Sequence, residues 1–292
     1  MGGVVRATGH ERGSASMPAV SNGSGKDIKD YEYFRIRAVE RAAELLDLFT
    51  LEHPRRTLAE LANGLNVHRS TVHRLVLTLE KLRYLRRDPA GNTYGLGLKP
   101  LILGTVALNG LEFRKVVRPH LERLNLTTGQ TVHLAVLDDG DVVYVDKIEK
   151  ESLIRLYSEV GRRAPAHCTA LGRVLLASLP RATVRDILSR RPLRRYTPRT
   201  LTDVEGLLRC IERAGQEGYS LDLGEHEHLV QCVAAAVRDH SGAVAAAMSL
   251  TVIAPELTTE ELDRYLAAVR TSAAEASADL GYVRPAGERG EG

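Results

Sequence analysis

The chain has 292 residues, of which 43% are hydrophobic and 26% charged, with a formal net charge of +3. That length holds two compact domains and the mixture is that of a globular protein, neither fibrous nor disordered. No apolar run approaches the roughly 18–20 residues of a spanning helix, so an integral membrane protein is excluded; the first twenty residues lack a signal-peptide core, and Cys168, Cys210 and Cys232 lie far apart, so secretion is not expected and a cytoplasmic protein is.

Residues 1–34 are rich in Gly and Ser, carry four basic and four acidic side chains, and show almost no apolar periodicity. A disordered tail is expected there. Residues 35–99 hold twelve basic against seven acidic side chains, whereas residues 100–292 hold twenty-four against twenty-six. A small basic segment beside a slightly acidic bulk points to an N-terminal module that meets a polyanion.

Within that module Val39, Ala42, Leu46 and Phe49 recur at helical spacing from Arg37. Thr57 caps a short helix over Leu58–Asn63, and a second helix is predicted from His68 to about Arg83. Tyr84–Arg87 and Thr93–Leu96 flank the turn residues Asp88-Pro89-Ala90-Gly91-Asn92, the pattern of a β-hairpin wing. Leu98–Leu111 reads as a connecting helix, and Pro119 is expected to start another that runs to Thr127.

The remainder reads as α+β. Strands are predicted at Thr131–Leu137 and Asp141–Ile148 around Asp138-Asp139-Gly140, and again at Leu153–Ser158. Helices follow at Thr169–Ser178, Arg181–Arg190 and Asp203–Glu217, the last with a capping box in Thr202 and Glu205. A hairpin of Gln231–Arg238 and Ala243–Thr251 turns at His240-Ser241-Gly242, and a final helix, Thr259–Leu280, opens with Thr258 and Glu261 in capping-box spacing.

The stretch Thr57–Leu75 is the strongest signal. Two short helices joined by Leu65-Asn66-Val67 need a small residue where they cross, supplied by Ala62, and a turn residue tolerant of positive φ, supplied by Asn66. The outer face of the second helix then presents His68, Arg69, Ser70, Thr71, His73 and Arg74 to a DNA major groove. Thr57, at the start of the motif, is also expected on the DNA face, and Arg86 and Arg87 at the wing base are placed for phosphates.

The segments Leu58-Ala-Glu-Leu-Ala, Ser70-Thr-Val-His-Arg-Leu, Thr93-Tyr-Gly-Leu-Gly, Thr131-Val-His-Leu-Ala-Val and Val143-Tyr-Val-Asp-Lys-Ile are carried in this order. They continue with Pro165-Ala-His-Cys-Thr-Ala-Leu-Gly-Arg, Tyr196-Thr-Pro-Arg-Thr, Glu217-Gly-Tyr-Ser-Leu-Asp and Ser249. In these the chain resembles the IclR family of bacterial transcriptional regulators over roughly residues 36–282. The resemblance implies a winged helix-turn-helix domain (35–98), a linker helix (99–118) and a GAF-like effector-binding domain (119–282), with a tail at 1–34 and a flexible C-terminus at 283–292. It also implies a homodimer or dimer of dimers on a pseudo-palindromic double-stranded operator.

From the residues themselves, Ala166–Gly172 opens a helix with small side chains, so that Cys168, Thr169, Ala170 and Leu171 surround a helix N-terminus suited to a carboxylate. The resemblance adds Leu153, Asp222, Val230, Cys232, Ser249 and Thr251 to this effector site. Asp222 beside a bound carboxylate is expected to be protonated, bonded to a hydroxyl or bridged by water. The stretch Cys168–Ala177 is similar to the branch that regulates aromatic-acid catabolism, a pointer to an aromatic or dicarboxylic acid.

Other groupings are set aside. His226-x-His228 with Cys232, Asp222 and Glu225 lacks a second ligand pair and reads as a solvated loop instead of a metal site. Cys168 and Cys232 show no basic partner for redox work, and Arg190, Arg191, Arg194, Arg195 and Arg199 read as a solvated basic loop or an interdomain salt-bridge site. No phosphate-cradling loop or nucleophile elbow is present, so no cofactor is expected. Two readings remain: a regulator controlled by a small organic acid, and a GAF-like thiol enzyme or redox sensor with an accessory nucleic-acid-binding domain.

Overall fold

A computed structural model describes residues 36–89, 91–150, 158–254 and 256–283. The tail, Ala90, Leu153 with most of the expected third strand, and the C-terminal residues from 284 onward lie outside them. The chain divides between Leu103 and Gly104 into two compact units.

The N-terminal unit contains α1 (Arg37–Asp47), β1 (Arg55–Thr57), α2 (Leu58–Leu65), α3 (Arg69–Lys81), β2 (Leu85–Arg87) and β3 (Thr93–Leu96). Leu45, Leu61, Val72, Val76, Leu85 and Tyr94 form its core. Thr57 and Glu60 close a reciprocal capping box on α2. Asn66 takes φ 49°, so the turn into α3 uses the left-handed region that its short amide side chain tolerates. The wing carries a strand the sequence does not announce: β1 pairs with β3, which also pairs with β2. Three residues show no periodicity of their own; β1 exists because β3 offers it an edge.

Where one connecting helix and a restart at Pro119 are expected, the structure has α4 (Lys99–Asn109) and α5 (Glu112–Thr128), with Pro119 inside α5. Proline removes one helical donor and crowds the preceding turn. Tertiary contacts hold the helix regardless: Val117, Leu121 and Leu124 are buried in the core, and Arg114 and Arg118 both grip the buried carboxylate of Asp146 at 3.1 and 2.6 Å.

The C-terminal unit is built on an antiparallel sheet of β4 (Thr131–Asp138), β5 (Asp141–Ile148), β6 (Arg163–Pro165), β7 (Tyr219–Leu223), β8 (Val230–Arg238) and β9 (Val244–Ile253), in the order β6-β5-β4-β9-β8-β7. One face packs on α5 and α9 (Thr259–Asp279). The other packs on α6 (Ala170–Leu176), α7 (Arg181–Arg190) and α8 (Val204–Glu217). The cap of α8 is Asp203, which accepts from Gly206 N–H, one residue later than the expected Thr202. Thr258 and Glu261 close the box that opens α9. No helix among the described residues is long and apolar enough to cross a membrane.

Candidate functional site

On α3 the apolar residues Val72, Val76 and Leu79 turn inward, which leaves Arg69, Ser70, His73 and Arg74 exposed and Thr71 half-buried. His68 caps the helix through Nδ1, 3.3 Å from Ser70 N, and lies 2.8 Å from Ser70 Oγ. That contact fixes the first turn of the exposed face. Arg69, Arg74 and Arg86 form no ion pair among the described residues. Arg87 donates to Asn92 Oδ1 at 3.4 Å across the wing. Thr57, expected on the DNA face, has its hydroxyl and N–H engaged by Glu60.

In the C-terminal unit a cavity of about 240 Å³ is lined by residues of all six strands. Thr169, Ala170, Leu171, Asp222, Val230, Cys232, Ser249 and Thr251 line it, as expected from the sequence. Cys168 is not among the lining residues and is fully buried. Leu153 lies outside the described residues. Gly172, expected to open the backbone to a ligand, is small for another reason. A Cβ there would come within 2.3 Å of the Ala166 backbone, so the chain's own 3₁₀ turn occupies that space.

Residues not foreseen complete the lining: His133, Tyr144, Ser158, Arg162, Arg163, Tyr196, His226 and Glu227 among them. His226 turns its ring edge to Tyr196, centroids 5.0 Å apart, and is half-buried instead of lying on a solvated loop. No group of three or more His, Cys, Asp or Glu placed to hold a metal occurs among the described residues. His133 has a signal that was legible in principle. It is a polar residue between Val132 and Leu134 on a buried strand, a position that demands hydrogen-bond partners. They are Ser158 Oγ at 2.7 Å and Thr251 Oγ1 at 3.4 Å.

Electrostatics divide the lining. Burial pushes the Asp222 carboxyl up to about 7, against the N–H of Glu225 that donates to its Oδ1 at 2.7 Å. Burial and the Lys147 charge hold His133 down to about 3, a neutral imidazole. The Cys168 and Cys232 thiols are both pushed up by burial, the opposite of an activated thiolate. Ser249 Oγ is buried without a hydrogen-bond partner. The arginine-rich loop after α7 is tied down within its own unit, by Arg191 to Asp139 and Asp141 and by Arg199 to Leu223 O.

An exposed basic recognition helix with a wing, in one chain with a separate sheet domain around a polar cavity, defines the winged-helix transcriptional regulators. The sequence pattern of the IclR helix-turn-helix domain matches residues 38–89, and that of the bacterial transcriptional regulator IclR C-terminal domain matches residues 105–278. The chain belongs to the IclR family. It is 34% identical over 247 residues to the HTH-type transcriptional regulator XynR of Escherichia coli (strain K12), which covers 85% of this chain and 98% of XynR. Among solved structures, Thermotoga maritima IclR matches with a TM-score of 0.67 at 29% identity, over 85% of this chain and all of that one. An IclR homolog from Microbacterium hydrocarbonoxydans, complexed with 4-hydroxybenzoate, matches with a TM-score of 0.72 at 27% identity, over 83% of this chain and 98% of that one. This protein is a DNA-binding transcriptional regulator, not an enzyme.

Proposed function

We propose that operator affinity is controlled by a small organic acid bound in the cavity of the C-terminal unit. The observation that carries the reading is Ser249: a buried hydroxyl with no partner, on the lining of a cavity whose wall also carries the Asp222 carboxyl, raised by burial to about 7. Polar groups in an otherwise close-packed interior are normally satisfied, so a ligand is the natural partner. Tyr144, Tyr196 and His226 give the cavity flat walls, and the related Microbacterium protein's 4-hydroxybenzoate is an acid of that shape.

On the DNA side, Arg69, Ser70, Thr71, His73 and Arg74 read or position a half-site in the major groove, His68 orients the helix start, and Arg86 and Arg87 hold phosphates. A homodimer supplies two such helices, as a dimer or as a dimer of dimers. Support comes from α4, which buries no residue while exposing Leu101, Ile102 and Val106. A helix that exposes this many large apolar side chains calls for a second surface. Ligand binding shifts the separation of the two wings and so the match to half-site spacing.

Selection of the purified protein on random duplex DNA tests this. Enrichment of an inverted repeat is expected, with affinity for it altered by an aromatic or dicarboxylic acid from a panel that includes 4-hydroxybenzoate. Sequence-independent binding that fades with salt, unchanged by every acid, would sink it.

A further inference from the structure

A second cavity, of about 350 Å³, adjoins the first, which is about 240 Å³. Strand β6 leads from one to the other: Arg163 and Ala164 line the first, Pro165 lines both, and Ala166 lines the second. Tyr196 is the other residue common to the two linings. Its ring meets that of His226, which lines the first cavity, with centroids 5.0 Å apart. It also meets that of His167, which lines the second, with centroids 6.1 Å apart.

The backbone around this ring is pinned. The N–H groups of Tyr196 and Thr197 donate to Thr200 Oγ1 at 3.0 and 2.8 Å, and the Arg194 carbonyl lies 3.0 Å from His167 Nε2. The Arg194 guanidinium stands 5.2 Å from the ring centroid. No hydrogen bond to the phenol hydroxyl occurs among the described residues. The ring is therefore held by packing, and what it contributes at this place is its bulk. In the second cavity Arg191 is ion-paired with Asp139 and Asp141, and Arg190 with Asp186. Ile187, Leu188 and Leu193 give it apolar surface.

We infer that Tyr196 is the specificity-determining partition of the effector cavity, confining the effector to a compact acid of one ring or a few carbons. An acid that outgrows the first cavity clashes with the ring, and selection by clash needs no contact to the favoured ligand. A small side chain at 196 joins the two spaces, more than doubling the volume, and extends the ligand class to acids with a long apolar tail. This rests on the acid-effector reading and adds a size limit to it.

Isothermal titration of the full chain tests it with compact acids (benzoate, 4-hydroxybenzoate, succinate) and long ones (biphenyl-4-carboxylate, decanoate). The parent is expected to bind at least one compact acid about tenfold or more tightly than either long one. Tyr196→Ala should raise the affinity for a long acid about tenfold or more, because its tail gains the apolar second cavity. Tyr196→Phe, which keeps the ring, should keep the exclusion. Adding Leu193→Trp to Tyr196→Ala fills the second cavity and should abolish the gain while leaving the compact acid's affinity as it is in Tyr196→Ala. Long acids that bind the parent as well as compact ones, a ratio unchanged in Tyr196→Ala, or a gain that survives Leu193→Trp each overturn the partition and leave the acid-effector reading standing. Binding of none of the five acids to the parent or to any variant overturns both.

Discussion

The backbone N–H of Glu225 donates to Asp222 Oδ1 at 2.7 Å, while the Glu225 carboxylate is held by Arg173 of α6. Arg173 also donates to Leu221 O, and Thr197 and Thr200 fasten the carbonyls of Gly224 and Glu225. The loop that follows β7 is thus clamped from α6 and from the 197–200 turn, and Asp222 inherits its position from that clamp. The first turn of α6 lines the same cavity, so one set of contacts fixes both walls.

Arg173 and Glu225 are 6% and 12% exposed, so removing one partner strands the other's charge in the interior. Arg173→Met is expected to cost on the order of 3–5 kcal/mol. Adding Glu225→Gln should recover most of that loss, because the stranded charge goes with it. Urea denaturation of the single and double variants measures both; a double variant no more stable than the single would show that the arginine's other contacts dominate.

Stability should depend on pH through two buried groups of opposite sign. Asp222 is raised from 3.8 to about 7, so between those values the folded protein keeps a proton the unfolded chain has lost, and this contribution shrinks as pH rises. His133 is lowered from 6.5 to about 3, so its contribution shrinks as pH falls through that window. Burial lowers His167 and His226 in the same direction as His133. The contributions oppose one another in mildly acid solution, and the variant Asp222→Asn separates them. Its stability relative to the parent should grow from pH 5 to pH 8, reaching on the order of 1–4 kcal/mol. A difference that stays constant across pH would return Asp222 to an ordinary carboxyl.

Arg74 is exposed on α3, and its carbonyl accepts from the Thr78 hydroxyl at 2.8 Å, one helical turn on. Arg74→Ala should cost about 1–3 kcal/mol of operator binding and relax preference at one base pair if the guanidinium reads a base edge. Arg86→Ala should instead weaken all sequences alike and reduce the salt slope by about one. Repeating the random-duplex selection with each variant distinguishes the two roles.

The N-terminal unit was largely legible because its determinants are local: a cap at Thr57, a left-handed Asn66, a wing turn. β1 was not, since Arg55–Thr57 become a strand only against β3. Pro119 misled because the rule that proline starts helices is local, whereas α5 is held by Arg114 and Arg118 on Asp146. In the cavity, the family resemblance supplied Asp222, Cys232, Ser249 and Thr251. Tyr144, Tyr196 and His226 come from a strand and two distant loops, and no spacing in one dimension brings them together. Cys168 shows the converse limit, because a residue next to lining residues in the chain need not itself reach the cavity.

Four large apolar side chains are exposed along α4, among them Leu101 and Val106 at 67% and 64%, and no residue of the helix is buried. Burying each such side chain contributes about 1.5–3 kcal/mol. If a second copy covers it, replacing Leu101 and Val106 together by Glu places charges in an interface that cannot pair them. Sedimentation should then show a smaller assembly than the parent. Operator affinity should fall by about a hundredfold or more, since two linked half-sites gain strength from effective concentration and a single winged helix does not. The folds themselves should be untouched, because neither residue belongs to a core, and an unchanged thermal transition of the C-terminal unit checks that. A variant that sediments as the parent does and keeps its operator affinity would remove α4 from the interface and leave the pairing surface to be sought on another part of the chain.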